Sequence, residues 1–140
     1  MTTNCTTDKI TIYTDASRDD QCSGLGYVIS GEVTMADNKV LMGTYTSMEA
    51  EYHALVEALR VASINSSERS YVALYVDCKP LTTKMRYPDE KSQDWRERRK
   101  GFHWLANKFD EWELEYVSRT MNEDAHDLAR QALFEGRGRR

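Results

Sequence analysis

The stretch Ile10-Thr11-Ile12-Tyr13-Thr14-Asp15 is the most informative for the fold. It combines the residue pattern of a β-strand with a carboxylate directly after that strand. Apolar and β-prone residues alternate along residues 9–14, as they do in a half-buried strand. A second β-prone run, residues 71–76, is followed in the same way by Asp77. Carboxylates that end apolar elements far apart in the chain could all point at one spot.

Length and composition predict one mixed globular domain. The chain has 140 residues, of which 40% are hydrophobic and 30% charged. We expect residues 1–140 to form a single domain with flexible ends at 1–8 and 135–140. The net charge of −4 argues against binding nucleic acid through bulk charge, although a local basic patch could still bind it.

Targeting signals are not evident in the sequence. No apolar stretch approaches the ~20 residues of a membrane span, and the first residues lack the features of a signal peptide. The three cysteines are spaced neither for a disulfide framework nor for a zinc site. We therefore expect a cytoplasmic monomer that does not bind a membrane.

The hydrophobic periodicities predict the element order β-β-β-α-β-α-α-β-α. Strands are predicted over residues 9–14, 24–30, 39–45, 71–76 and 113–118. Helices are predicted from residue 46 or 47 to the polar cluster at 65–68, over 79–85, from 92 or 94 to 112, and from 122 onward. The order indicates an α/β domain.

The first helix carries a carboxylate on its apolar stripe. Thr46 and Glu49 fit a capping box, so Glu49 has a local structural role. Glu51 instead shares a face with Leu55 and Leu59. A charge on that face must be paired, metal-bound or protonated. A buried Arg or Lys and a divalent cation are both open as its partner.

The other candidates also have structural alternatives. An aspartate after a strand is commonly a turn residue or a helix cap, and His126 could be a partly exposed or hydrogen-bonded core histidine. In combination, however, Asp15, Glu51 and Asp77 are costly to bury unless a cation lies between them. A divalent metal is the usual cation in such a cluster.

Four motifs in sequence resemble the type 1 ribonuclease H family. They are Thr14-Asp15-Ala16 followed by Gly24-Leu25-Gly26, then Glu49-Ala50-Glu51-Tyr52-x-Ala54-Leu55, then Tyr75-Val76-Asp77, and finally Asn122-x-x-Ala125-His126-x-Leu128-Ala129-x-x-Ala132. The resemblance covers nearly the whole chain. It implies a ribonuclease H-like α/β fold, in which a five-stranded mixed sheet of three antiparallel strands and two parallel additions is flanked by helices.

The same resemblance implies a metal-dependent endonuclease that hydrolyses the RNA strand of RNA–DNA hybrids. Its cofactors would be two divalent metal ions, Mg²⁺ or Mn²⁺, which activate water and stabilise the leaving oxygen. Asp15 would bridge both ions and Glu51 and Asp77 would complete the first site. His126 would hold the second ion, so that all four residues are both catalytic and metal-binding.

His126 stands where better-known family members carry an aspartate. The register on Leu128 and Ala129 places it there, and on the helical wheel it shares a face with Ala129 and Leu133. Asp127 falls on a mostly polar side, so we assign His126 and keep Asp127 as the alternative. An imidazole in place of a carboxylate predicts a weaker second site and some preference for Mn²⁺.

Basic and polar residues supply candidate contacts to the hybrid. The candidates are Arg96, Arg98, Arg99 and Lys100 near the start of the third helix, Arg119 before the last helix, and Ser47 at the first. A solvated helix face is the common alternative for such a basic cluster. Phosphate contacts would make binding fall steeply with salt.

Two other functions fit the same motifs. A nuclease of this fold could act on branched or other nucleic acid, and an inactive domain could bind nucleic acid without cutting it. The presence of Asp15, Glu51 and Asp77 together argues against the inactive module.

Overall fold

The described residues form five strands and four α-helices in the predicted order. A computed structural model describes residues 9–31, 34–66, 70–88 and 91–138. The strands are β1 (Lys9–Arg18), β2 (Cys22–Gly31), β3 (Met35–Met42), β4 (Tyr71–Val76) and β5 (Glu111–Tyr116). The helices are α1 (Ser47–Asn65), α2 (Lys79–Arg86), α3 (Gln93–Ala106) and α4 (Glu123–Gly138), with a 3₁₀ turn, Arg119–Asn122, before α4.

The strands form one mixed sheet in the order β3-β2-β1-β4-β5. β1 pairs antiparallel with β2, and β2 pairs antiparallel with β3. β4 is parallel to β1 on one side and to β5 on the other. The expected architecture of three antiparallel strands and two parallel additions is therefore confirmed.

Helices cover the two faces of the sheet unequally. α1 packs on β1 and β2, and α2 and α3 pack beside it, so that the main core lies on this face. α4 packs on β1, β2 and β3 from the opposite face. A Cβ atom added to Gly24 would lie 1.9 Å from the Ala129 carbonyl oxygen, and one on Gly26 would lie 2.3 Å from the Ala125 carbonyl oxygen. These two glycines let α4 approach the sheet closely.

Two strand boundaries differ from the prediction. β1 does not end at residue 14 but continues to Arg18, because β2 continues to pair with it beyond the last parallel pair with β4. β3 spans Met35–Met42 rather than residues 39–45. Its polar first half is tolerated at the sheet edge, and Gly43, with a φ of 123°, turns the chain away.

The third helix is shorter than its aromatic stripe indicated. α3 ends at Ala106 rather than at residue 112, because Asn107 closes its last turn and the chain reverses. Phe109 still packs in the core from the turn, and Trp112 packs against it from β5. β5 accordingly spans Glu111–Tyr116 instead of residues 113–118.

The C-terminal segment is helical as far as Gly138. Residues 135–138 continue α4, and Gly136 is buried because it packs against Cys22 and Val40. The flexibility expected for residues 135–138 stays a prediction, and residues 1–8 and 139–140 lie outside the described part of the chain. None of the described helices is long and apolar enough to cross a bilayer.

Candidate active site

Three carboxylates converge where β1 and β4 stop pairing. The last parallel pair joins Thr14 to Val76, so Asp15 and Asp77 follow it side by side. Glu51 reaches the same place from the first turns of α1 and is 8% exposed. One ligand oxygen from each of the three residues lies within 4.8 Å of the other two. The prediction from sequence that these carboxylates point at one spot agrees with this geometry.

The N-terminus of α1 is fixed by the predicted capping box. The Glu49 amide donates to Thr46 Oγ1 at 3.1 Å, and the Thr46 amide donates to Glu49 Oε1 at 2.8 Å. Arg98 also donates to Glu49 at 2.9 Å and lies over the ring of Trp95. Glu49 therefore anchors α1 and α3 together, which holds the start of α1, and with it Glu51, in place.

Glu51 has no basic partner among the described residues. The Ala16 amide donates to its Oε1 at 3.1 Å, while its buried Oε2 has no donor in the described part of the chain. Burial raises the pKa of Glu51 well above its usual range, and the hydrogen bond and charge of Asp15 raise it further. A buried Arg or Lys is thus not what neutralises this carboxylate.

Asp77 is also a buried carboxylate without a full counter-charge among the described residues. Burial raises its pKa, the charge of Asp15 adds to this effect, and Asn122 and Arg119 oppose it. The Arg119 Nε lies 3.8 Å from Asp77 Oδ2, but the Arg119 side chain is 71% exposed and that of Asp77 only 6%. Oδ2 accepts no hydrogen bond from a described residue. Arg119 therefore gives a screened attraction rather than a full counter-charge.

α4 brings His126 to the edge of this cluster. His126 Nδ1 lies 2.7 Å from Asp15 Oδ2. This contact leaves the Nε2 side of the ring without a hydrogen-bond partner among the described residues. Asp127, the alternative to His126, is exposed. The close packing of α4 on Gly26 determines which of the two side chains faces Asp15.

Asn122 is a positioning residue that the sequence reasoning used only as the start of a motif. It is 1% exposed, and its Nδ2 donates to the Thr14 carbonyl oxygen at 2.7 Å. This bond ties the turn before α4 to the strand residue that precedes Asp15. A polar residue at the start of a helix motif is ambiguous in sequence, because it is equally typical of a helix cap.

The six candidate substrate contacts lie in different surroundings. Arg98 contacts Glu49 and Trp95. Arg99 donates to the Arg86 carbonyl oxygen at 3.3 Å, and Arg96 donates to Gln93 at 2.5 Å. Lys100 lies 3.8 Å from Glu97, and Ser47 and Arg119 are exposed. Arg98 thus has a structural role. Ser47, Lys100 and Arg119 are exposed to solvent, which leaves them able to meet a substrate.

Replacing His126 distinguishes the two assignments on α4. We expect His126→Ala to lower by about 10- to 100-fold the metal-dependent cleavage that the family resemblance implies, because Asp15 loses its partner at 2.7 Å and the site loses a candidate ligand. Asp127→Ala is the matched control and should stay close to wild type, because its side chain is exposed. Steady-state cleavage assays with Mg²⁺ and Mn²⁺ provide the measurement. The reverse pattern of losses would transfer the role to Asp127.

A carboxylate cluster at the adjoining ends of β1 and β4, on a sheet ordered β3-β2-β1-β4-β5, defines a ribonuclease H-like domain. Residues 13–132 match the profile of the reverse transcriptase-like family. The chain belongs to this family.

Known proteins agree with this assignment. Ribonuclease H1 from Halobacterium salinarum is 27% identical, and the match covers 91% of this chain and 98% of that chain with a TM-score of 0.79. LC11 ribonuclease H1, solved in complex with an RNA/DNA hybrid, shares the fold at 21% identity with the same TM-score and coverage. EbsB of Enterococcus faecalis, provisionally named a hydrolase, is 28% identical over 124 residues, covering 87% of this chain and 92% of EbsB. The resemblance to the type 1 ribonuclease H family is confirmed.

Proposed function

We propose that this protein is a metal-dependent endonuclease that hydrolyses the RNA strand of RNA–DNA hybrids. The observation that carries the proposal is the convergence of Asp15, Glu51 and Asp77 with two buried oxygens that no described donor reaches. Family membership supports a hydrolase or nuclease, and one protein of the same fold was solved with a hybrid bound.

The donor set fits a hard divalent cation. Carboxylate oxygens are the ligands that Mg²⁺ and Mn²⁺ prefer, and Glu51 Oε2 and Asp77 Oδ2 accept no hydrogen bond from any residue that the structure describes. Asp15, Glu51 and Asp77 would hold one ion, and Asp15 and His126 would hold the second. The bound pair would supply an activated water and stabilise the leaving oxygen of an in-line displacement.

The chain's own residues orient these ligands. The Ala16 amide fixes one oxygen of Glu51, His126 Nδ1 lies 2.7 Å from Asp15 Oδ2, and Asn122 holds the turn before α4 against β1. Preorganised ligands of this kind need no rearrangement when substrate arrives.

We propose that exposed and half-buried polar groups supply the contacts to the substrate. Arg119 lies beside Asp77 with its guanidinium in solvent, where it can bind a phosphate next to the cut. The further proposed contacts are Ser47, Arg96, Arg99 and Lys100, whereas Arg98 acts indirectly through the placement of α3. We also propose a monomer in the cytoplasm, since an odd number of cysteines fits a reducing compartment.

A comparison of substrates tests this function. Purified protein should cut the RNA strand of a labelled hybrid about a hundredfold faster than duplex RNA or a four-way DNA junction, and only with divalent metal present. Preferred cutting of the junction would indicate a branched-DNA nuclease. Saturable hybrid binding without cleavage under any metal would indicate an inactive binding module.

A further inference from the structure

α4 leaves part of its face of the sheet uncovered. The helix begins over Gly26, so the next β2 side chains on that face, Val28 and Ser30, lie beyond its first turn. Tyr13 pairs with Val28 across β1 and with Tyr75 across β4, so all three side chains share this face. The uncovered area runs from β2 to β4.

A groove lies between this area and the start of α4. Its volume is about 280 Å³, and it is lined by Tyr13, Val28, Ser30 and residues 120–125. The Tyr13 ring stacks on that of Tyr75 with centroids 5.0 Å apart, which makes an aromatic floor. Met121, which is 63% exposed, stands at the rim. The groove therefore offers apolar and aromatic surface to solvent.

Two acidic residues line the groove beside this aromatic floor. Glu123 and Asp124 line the groove, are exposed and form no ion pair among the described residues. Acids in the first turn also favour the helix dipole, so their charge alone would indicate nothing. The two unpaired acids lie beside the Tyr13 ring in the same groove, and together these features favour a positively charged ligand.

The neighbouring strands extend the same character. Tyr71 lies on this face of β4 and accepts a cation, since Lys9 Nζ is 5.8 Å from its ring centroid. A hydrogen bond to Glu113 raises the pKa of Tyr71 to about 12. The rings of Tyr75 and Tyr71 therefore lie between the groove and the carboxylate of Glu113 on β5.

We propose that this groove binds a basic peptide segment of a partner protein. An Arg or Lys side chain would stack on Tyr13, and Glu123 and Asp124 would pair with its charge. The apolar stem of that side chain would lie along Met121. Nucleic acid does not fit, because its phosphates would meet the same two carboxylates. The proposal does not depend on the nuclease activity.

Fluorescence anisotropy with a short labelled peptide of alternating arginine and glycine tests the groove. Wild type should bind this probe saturably at physiological salt. The double variant Glu123→Gln with Asp124→Asn should bind about five- to tenfold more weakly, and Met121→Lys should weaken binding similarly by repelling the probe. All three groove residues are exposed, so these variants should fold, which circular dichroism can verify.

A matched control separates the groove from bulk charge. The double variant Asp94→Asn with Glu97→Gln removes two exposed acids near the start of α3 and should bind within twofold of wild type. Equal losses in both double variants, or unchanged binding in the groove variants, would overturn the proposal. Sedimentation without peptide tests whether a second copy of this chain occupies the groove. Dimerisation that the groove variants abolish would assign the groove to that second copy instead.

Discussion

Asp77→Asn is expected to lower hybrid cleavage at least about a thousandfold while the protein stays folded. The substitution keeps the shape of the side chain but removes the charge with which it would hold a divalent cation. The Asp77 side chain is 6% exposed, and its Oδ2 accepts no hydrogen bond from a described residue, so little in the fold depends on that oxygen. Single-turnover assays on a labelled hybrid with saturating Mg²⁺ or Mn²⁺ measure the effect.

Glu135→Gln serves as the control for charge removal. Glu135 is exposed near the end of α4 and far along the helix from His126, so this variant should cleave like wild type. An Asp77→Asn protein that keeps activity within tenfold of wild type would show that Asp77 is not a required ligand. The proposed metal site would then be wrong in its central member.

Glu51→Gln is expected to change activity and stability in opposite directions. Cleavage should fall about as far as in Asp77→Asn, because a candidate ligand is lost. The free energy of unfolding of the metal-free protein at neutral pH should rise by about 1–3 kcal/mol, because a buried carboxylate beside Asp15 becomes neutral. This gain corresponds to roughly 3 °C in Tm per kcal/mol. Urea unfolding in the presence of a chelator measures it.

The pH dependence of the free energy of unfolding tests the direction in which the pKa of Glu51 is shifted. Its pKa is raised in the folded protein, so the folded state binds a proton more readily than the unfolded state. The stability that this group contributes is complete below its unfolded pKa of ~4.3 and is lost as pH rises towards the folded value. Metal-free wild type should therefore lose stability over that range more steeply than Glu51→Gln.

Glu57→Gln on the same helix is the matched control. Glu57 pairs with Arg60 at 2.9 Å, and this hydrogen bond is the main cause that lowers its pKa despite partial burial. Its removal should leave stability unchanged or lower it by up to ~1 kcal/mol. An equal gain in both variants would mean that relief of net charge, rather than repulsion at the site, stabilises the protein.

Added divalent metal should make wild type more stable than Glu51→Gln, which is the reverse of the order expected without metal. At a hundred times its dissociation constant, a ligand that binds only the folded state adds ~2.7 kcal/mol. Wild type should gain this stabilisation and Glu51→Gln should gain much less. No gain in wild type would contradict a metal site.

The sequence predicted element types well and element ends poorly. Periods of 2 and 3.6 residues reflect which side of an element is buried, and that information is local. The ends of β3 and α3 depend on where a partner strand pairs or where the chain reverses. The aromatic stripe that ends in Phe109 and Trp112 illustrates the difference, because both side chains pack on the core although neither belongs to α3.

The candidate site shows the same division. Asp15, Glu51 and Asp77 were identifiable from sequence because each is a charge on an otherwise apolar element, which is physically expensive without a partner. Arg98 was equally prominent within its basic cluster, yet only the structure shows that Glu49 and Trp95 engage it. A surface charge and a structural charge look alike until their neighbours are known.

The sequence by itself determined the element types and the candidate acidic residues of the site. Only the tertiary structure decided that the three carboxylates lie together without a basic partner among the described residues, that His126 comes within 2.7 Å of Asp15, and that a groove opens beside Tyr13. The physical reason is distance along the chain. Asp15 and His126 are 111 residues apart, and their contact depends on how closely α4 packs on the sheet, which no local pattern encodes.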